Sequence, residues 1–194
     1  EEERNMEQLR MIHKLEKIPK CSLAEGFTVR FFRPEDKQMW LDMCKEELLE
    51  GQAGEAEWKL CVTDFPTLMP ERDIFFICDA SGKAVATTTA FTMEDGDGLL
   101  HMVAVNPEAR GHKLGWSMTT FALQKLAWEG EAKQVRLKSD DWRKAAVLIY
   151  LRAGFQPVLF DVDMDKRWKA LCDELHFHGV EMLDLEGNPT GIIL

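Results

Sequence analysis

At 194 residues, the chain is ample for one packed core and short for two domains, so one domain with terminal additions is expected. Apolar residues make up 45% and charged residues 30% of it, which is a globular balance. Its formal charge of −10 disfavours a nucleic-acid surface, because phosphate binding needs clustered Lys and Arg, and mildly favours cationic small-molecule substrates.

Met6, Leu9 and Ile12, with Met11 and Leu15, recur at three-to-four spacing among charges. That spacing predicts an amphipathic helix in the N-terminal segment, residues 1–20, ending before Pro19. An exposed apolar stripe there would favour a homodimer. Residues 27–32 are β-prone, and Pro34 with Glu35 and Asp36 opens a helix that runs to residue 49. A second helix is expected over 55–63, bounded by Gly54 and by Pro66. Strands over 74–78, 84–92 and 99–105 follow, joined by turns at Ser81-Gly82 and Asp95-Gly96-Asp97-Gly98, which makes an antiparallel meander. Next come a helix over 114–129, a strand over 134–138, a helix over 142–152 and a strand over 155–162. Residues 165–175 are expected to form a last helix, and 176–194 a tail with a hairpin around Gly187-Asn188.

The order is β-α-α-β-β-β-α-β-α-β, which predicts an α/β (α+β) fold: a mixed, mostly antiparallel central sheet with helices on both faces. The expected divisions are residues 1–20, a central domain over 21–163, and a C-terminal helix and tail over 164–194.

No apolar stretch approaches the roughly 20 residues that a membrane span needs, and residues 1–20 are too charged for a signal peptide. The expected location is the cytoplasm, with no membrane and no nucleic acid among the partners. Five scattered cysteines without a C-x-x-C pair predict reduced thiols. Cys172, His176 and His178 have a ligand-like composition at a helix end, but one such cluster is more often coincidence, and no metal is expected.

The chemistry gathers at residues 99–116, a strand, then Asn106-Pro107-Glu108-Ala109, then Arg110-Gly111-His112-Lys113-Leu114-Gly115-Trp116 opening a helix. Amides at a helix start lack intrahelical partners and carry the positive end of the dipole, and glycines let an anion come close. Arg110 adds a permanent charge at the rim. Alone, such a turn is a weak signal.

Val105-Asn106-Pro107 and Arg110 through Gly115 resemble the pyrophosphate loop of the GNAT superfamily of N-acetyltransferases, R/Q-x-x-G-x-G/A after a strand and a Val-x-Pro. One position departs: Lys113 stands where the family has the first glycine of its G-x-G pair, and a left-handed Lys there would cost roughly 1 kcal/mol or more. Leu137, Ala146, Tyr150, Gly154 and Phe155 resemble the family's second signature, in which a helix ends in Tyr and Gly-Phe opens the next strand. Arg143 stands where the family often has Asn.

The resemblance implies an acetyltransferase with acetyl coenzyme A as cosubstrate and an amine as acceptor, attacked directly in a ternary complex. By position, the backbone of Met102, Val103, Ala104 and Val105 would receive the pantetheine arm where the strand splays from its neighbour. Arg110, Gly111, His112, Lys113, Leu114, Gly115 and Trp116 would hold the diphosphate, with Arg143 beside the arm. Strand alternation puts Leu99, His101, Val103 and Val105 on one face. Tyr150 would be the acid for the departing thiolate; it is the only tyrosine in a chain with eleven Phe and six Trp. For the base, His101, Glu94 and Asp97 are candidates, and His101 is the choice. Asp140 and Asp141 are expected to cap the helix at Trp142. Lys113 and Arg143 also leave open a catalytically silent coenzyme A-binding sensor or scaffold. The identity of the amine is not legible.

Overall fold

Residues 74–78 read Ile-Phe-Phe-Ile-Cys and are buried at every position, as are eight of the nine residues of 84–92. Burial at every position rather than every second one marks strands covered on both faces. The computed structural model describes residues 7–194. In chain order it has strands β1 (Leu9–His13) and β2 (Thr28–Phe31), then helices α1 (Lys37–Leu48), α2 (Glu55–Trp58) and α3 (Pro70–Asp73). Strands β3 (Ile74–Cys78), β4 (Ala84–Thr92) and β5 (Gly98–Val105) form the meander. Helix α4 (Leu114–Glu129), strand β6 (Val135–Ser139), helix α5 (Lys144–Ala153) and the short strand β7 (Gln156–Pro157) follow. Helix α6 (Met164–Leu175) and the hairpin β8 (Val180–Leu183) and β9 (Pro189–Ile193) close the chain.

The main sheet runs β2-β3-β4-β5-β6-β1-β7. Every neighbouring pair is antiparallel except β5 and β6, so the mixed, mostly antiparallel sheet is as expected. One core lies between the sheet and α4, α5 and α6, with Met118, Leu123, Val147, Leu151 and Trp168 at its centre. The other lies between the sheet and α1 with α2, around Trp40, Leu41, Trp58 and Phe76. Helix α2 continues as a π-turn over Lys59–Thr63. Helix α4 contains three buried hydroxyls, and each bonds a carbonyl one turn back; Thr119 reaches Gly115 at 2.8 Å and Thr120 reaches Trp116 at 2.9 Å.

The N-terminal helix is corrected within the described residues: Leu9–His13 is a strand, paired with β6 on one side and β7 on the other. The part of that helix on residues 1–6 lies outside the described residues. Leu9 and Met11 pack in the α4 core and Ile12 packs on the opposite face, so apolar residues on both faces of one strand imitate helical spacing. These side chains are buried inside the chain, so the exposed stripe that favoured a homodimer is not there among the described residues. His13 locks the strand to the end of α5. Its Nδ1 accepts from the Leu15 amide at 2.9 Å, which leaves Nε2 as the donor to Ala153 O at 3.1 Å.

Residues 14–27 then cross the outer face of α4, where Ser117 Oγ donates to Ser22 O at 2.7 Å and Gln124 Nε2 to Pro19 O at 2.9 Å. The expected strand over 155–162 shortens to β7, because β1 meets it only at Gln156 and Pro157. Beyond them the chain turns to the C-terminal hairpin, with Leu159 N donating to Leu183 O at 2.7 Å. Helix α5 begins at Lys144 rather than 142, and neither aspartate caps it. Asp140 bonds Arg143 and Asp141 bonds Arg167. Trp142 is exposed beneath the Arg143 guanidinium, 4.3 Å from its ring centre, and Trp128 is exposed on α4. The five cysteines are free thiols, four of them buried.

Candidate active site

Strands β5 and β6 pair only at Gly98 with Val135 and Leu99 with Arg136, and then separate. The far edge of β5 stays on β4, with Thr87 opposite Ala104 and Ala86 opposite Val105. From His101 to Val105, therefore, one backbone edge has no strand partner in the sheet. A bulge between Thr87 and Thr89, with Met102 at φ 54°, sits at the start of the opening. It also breaks strict alternation. Leu99, Met102 and Ala104 pack on the α1 side while Val103 and Val105 pack on the α4 side, so Leu99, Val103 and Val105 do not share one face.

The turn after β5 carries Gly111 at φ 89° and Lys113 at φ 58°. Lys113 thus occupies the left-handed conformation that its position demands, and bears the steric cost of a Cβ there. The first helical amide taken is that of Ser117, which donates to Lys113 O at 3.1 Å. By helix geometry the amides just before it have no intrahelical acceptors. A Cβ on Gly115 would stand 3.0 Å from Ile149 Cδ1, so this glycine sets how closely α4 approaches α5. His112 is turned to Phe27, ring centres 5.3 Å apart.

Two arginines, Arg110 of the turn and Arg143 of the cavity wall, both meet α1. The Arg110 guanidinium pairs with the Glu47 carboxylate, and Arg143 donates to the Glu47 carbonyl as well as to Asp140 Oδ2 at 2.9 Å. Nothing in the local sequence announces Glu47, which lies 63 residues before Arg110.

A cavity of about 840 Å³ fills the space between the diverging strands and extends over β6 and β1. Tyr150, Arg143, Ala146, Met102, Val103 and His101 line it. Tyr150 is 8% exposed, and burial pushes its phenol up to about 12, against a smaller opposite effect of Arg143. It is a donor at any ordinary pH. Burial pushes His101 down to about 4, so its imidazole is neutral; its Nε2 has no hydrogen-bond partner among the described residues and its ring meets Phe65 edge-on at 5.4 Å. The other two base candidates are placed differently. Glu94 is exposed in the turn, and Asp97 is buried, accepting from Gln134 Nε2 at 2.9 Å and pairing with Arg136.

The far half of the cavity was not foreseen. Leu60, Cys61 and Phe65 wall it on one side and Leu185, from the β8–β9 turn, also lines it; Arg10, Arg136 and Lys138 lie on its β1–β6 floor. The alternation Val135, Leu137, Ser139 against Arg136, Lys138 is legible in the sequence. Arg10 was not placeable without the strand that carries it.

Residues 71–157 match the acetyltransferase (GNAT) domain family. A mycothiol acetyltransferase of Streptomyces bingchenggensis is 32% identical over 145 residues, covering 71% of this chain and 46% of that protein. Another from Thermobispora bispora is 30% identical over 154 residues, covering 75% and 52%. The chain therefore spans about half the length of the curated relatives it matches. A GCN5-related N-acetyltransferase structure from Sphaerobacter thermophilus has a TM-score of 0.62 at 21% identity, covering 77% of this chain and 48% of that one, a likeness of fold. With the splayed strands, the glycine turn and the Tyr-Gly-Phe signature in the same order, the chain belongs to the GNAT superfamily of acetyltransferases.

Proposed function

We propose that this chain transfers an acetyl group from acetyl coenzyme A to an amine, by direct attack in a ternary complex. The observation that carries the reading is the cavity that opens where β5 leaves β6, lined by a phenol on one side and a neutral imidazole on the other. Acetyl coenzyme A supplies an activated acyl carbon and a thiolate leaving group, so that a C–N bond forms as the C–S bond breaks.

The unpaired amides of 111–116 and the Arg110 guanidinium suit the diphosphate, the helix dipole adding to both. The free edge of Met102, Val103, Ala104 and Val105 suits the amides of the pantetheine arm, and donors there suit the carbonyl oxygen as it gains charge. Arg143 borders the arm where relatives often carry Asn, and offers a charged donor instead. Tyr150 holds its proton and delivers it to the departing sulfur. His101 carries none and accepts the hydrogen bond of the amine, taking up the proton as the nitrogen becomes cationic and passing it to water. The cavity walls keep bulk water from the acyl carbon.

Calorimetry with acetyl coenzyme A and coenzyme A release with a panel of amines test the reading together. Binding with amine-dependent release is expected. Binding without release from any amine would leave the silent sensor, and no binding would remove both.

A further inference from the structure

The floor of the acceptor half carries an unusual charge arrangement for a chain of net charge −10. The charged residues lining the cavity are Arg10, Arg136, Lys138, Arg143 and the lone carboxylate Asp140. Asp140 is taken by Arg143 at 2.9 Å. Arg136 is held from outside the cavity by Asp95, at 3.2 Å, and by Asp97. Arg10 meets Glu7 at the surface, and its guanidinium lies 4.1 Å from the centre of the Phe160 ring. Lys138 is exposed and has no hydrogen bond or ion pair among the described residues. Of the four cations, Lys138 alone lacks a carboxylate partner among the described residues.

Arg10 and Lys138 are direct cross-strand partners in the β1–β6 ladder. Their neighbours Leu9 and Met11 point into the α4 core, so both cations leave the sheet on the cavity side, next to each other. Like charges directly opposite across a ladder are destabilising. The Nε of Arg10 is moreover buried with no acceptor among the described residues, a cost that an incoming anion would remove. Sheet stability therefore gives no reason for this pair.

We propose that the acceptor is an amine bearing a carboxylate, an amino acid in chemical class, and that Lys138 with Arg10 seats the carboxylate while the amino group faces His101. The proposal rests on the acetyl-transfer reading and names its substrate class. One unmatched cation fits a monoanion better than a dianionic phosphate. Leu60, Phe65 and Leu185 fit an apolar side chain between the two ends.

The test compares amino acids (alanine, leucine and phenylalanine) with their primary amides and their decarboxylated amines, by coenzyme A release in the wild type and in Lys138→Met. The amino acids should exceed both neutral series in kcat/KM by at least tenfold. Lys138→Met should lower that figure about tenfold through KM and leave the amides unchanged. Equal or better turnover of the neutral amines, equal losses for all acceptors in Lys138→Met, or preference for ethanolamine phosphate each overturns the subsite. Calorimetry of the same compounds on the coenzyme A complex reads binding without turnover. Carboxylate-selective binding without release would sink the transfer and keep the subsite; release from neutral amines alone would do the reverse.

Discussion

Glu47 at the last turn of α1 pairs with Arg110 on the turn before α4, tying the two elements together. Its own carbonyl takes Arg143 from the other side. Two of the cations that the proposed reading assigns to the coenzyme are thus held by one acidic residue. About half of each side chain in the Arg110–Glu47 pair is exposed, and such a pair contributes roughly 0.2–1 kcal/mol. Glu47→Gln should therefore tighten acetyl coenzyme A by about two- to fivefold at low salt, with the gain shrinking at high salt as screening weakens the pair. Calorimetry at two ionic strengths measures it.

Lys113 separates strain from charge. At φ 58°, a glycine would relieve a cost of roughly 1 kcal/mol while loosening the unfolded chain. Lys113→Gly should raise the melting temperature by at most about 2–4 °C and weaken acetyl coenzyme A binding severalfold through the lost charge. Thermal unfolding with and without the coenzyme reads both effects.

Tyr150→Phe removes a proton donor and little else. The ring keeps its edge contact with Phe155 at 5.9 Å, so stability should change by less than about 1 kcal/mol. The maximal rate should fall about 100-fold or more, as loss of a general acid does, with coenzyme affinity unchanged. Steady-state kinetics beside calorimetry decide it.

His101 makes the fold acid-sensitive. Its folded value of about 4 lies below the ordinary 6.5, so between those values the unfolded chain binds the extra proton. The stability it confers is full above pH 6.5 and is lost as pH falls toward 4. Water entering the cavity relaxes part of the cost, which leaves about 1–3 kcal/mol. His13, lowered by burial too, adds in the same direction. Urea unfolding at pH 7.5 and pH 5 should show a drop in wild type that is smaller in His101→Gln.

Legibility followed distance along the chain. Turn chemistry and periodicity are local, so strands 74–78 and 84–92 and helix 114–129 were predictable to the residue. The glycine turn before α4 and the place of Tyr150 in the last turn of α5 were readable for the same reason. Residues 9–13 were not, because a strand buried on both faces has no period of its own, and its apolar spacing also fits a helix.

By itself the sequence determined the order of elements, the glycine-rich turn at the start of α4 and the single phenol, since each depends on residues a few positions apart. Only the tertiary structure decided that β1 enters between β6 and β7, and with it that Arg10 stands beside Lys138. It alone set Glu47 against Arg110 and left β5 parted from β6. The reason is physical. Strand partners and charge contacts between distant segments are chosen by which packing buries both sheet faces at once, and no local pattern encodes that choice.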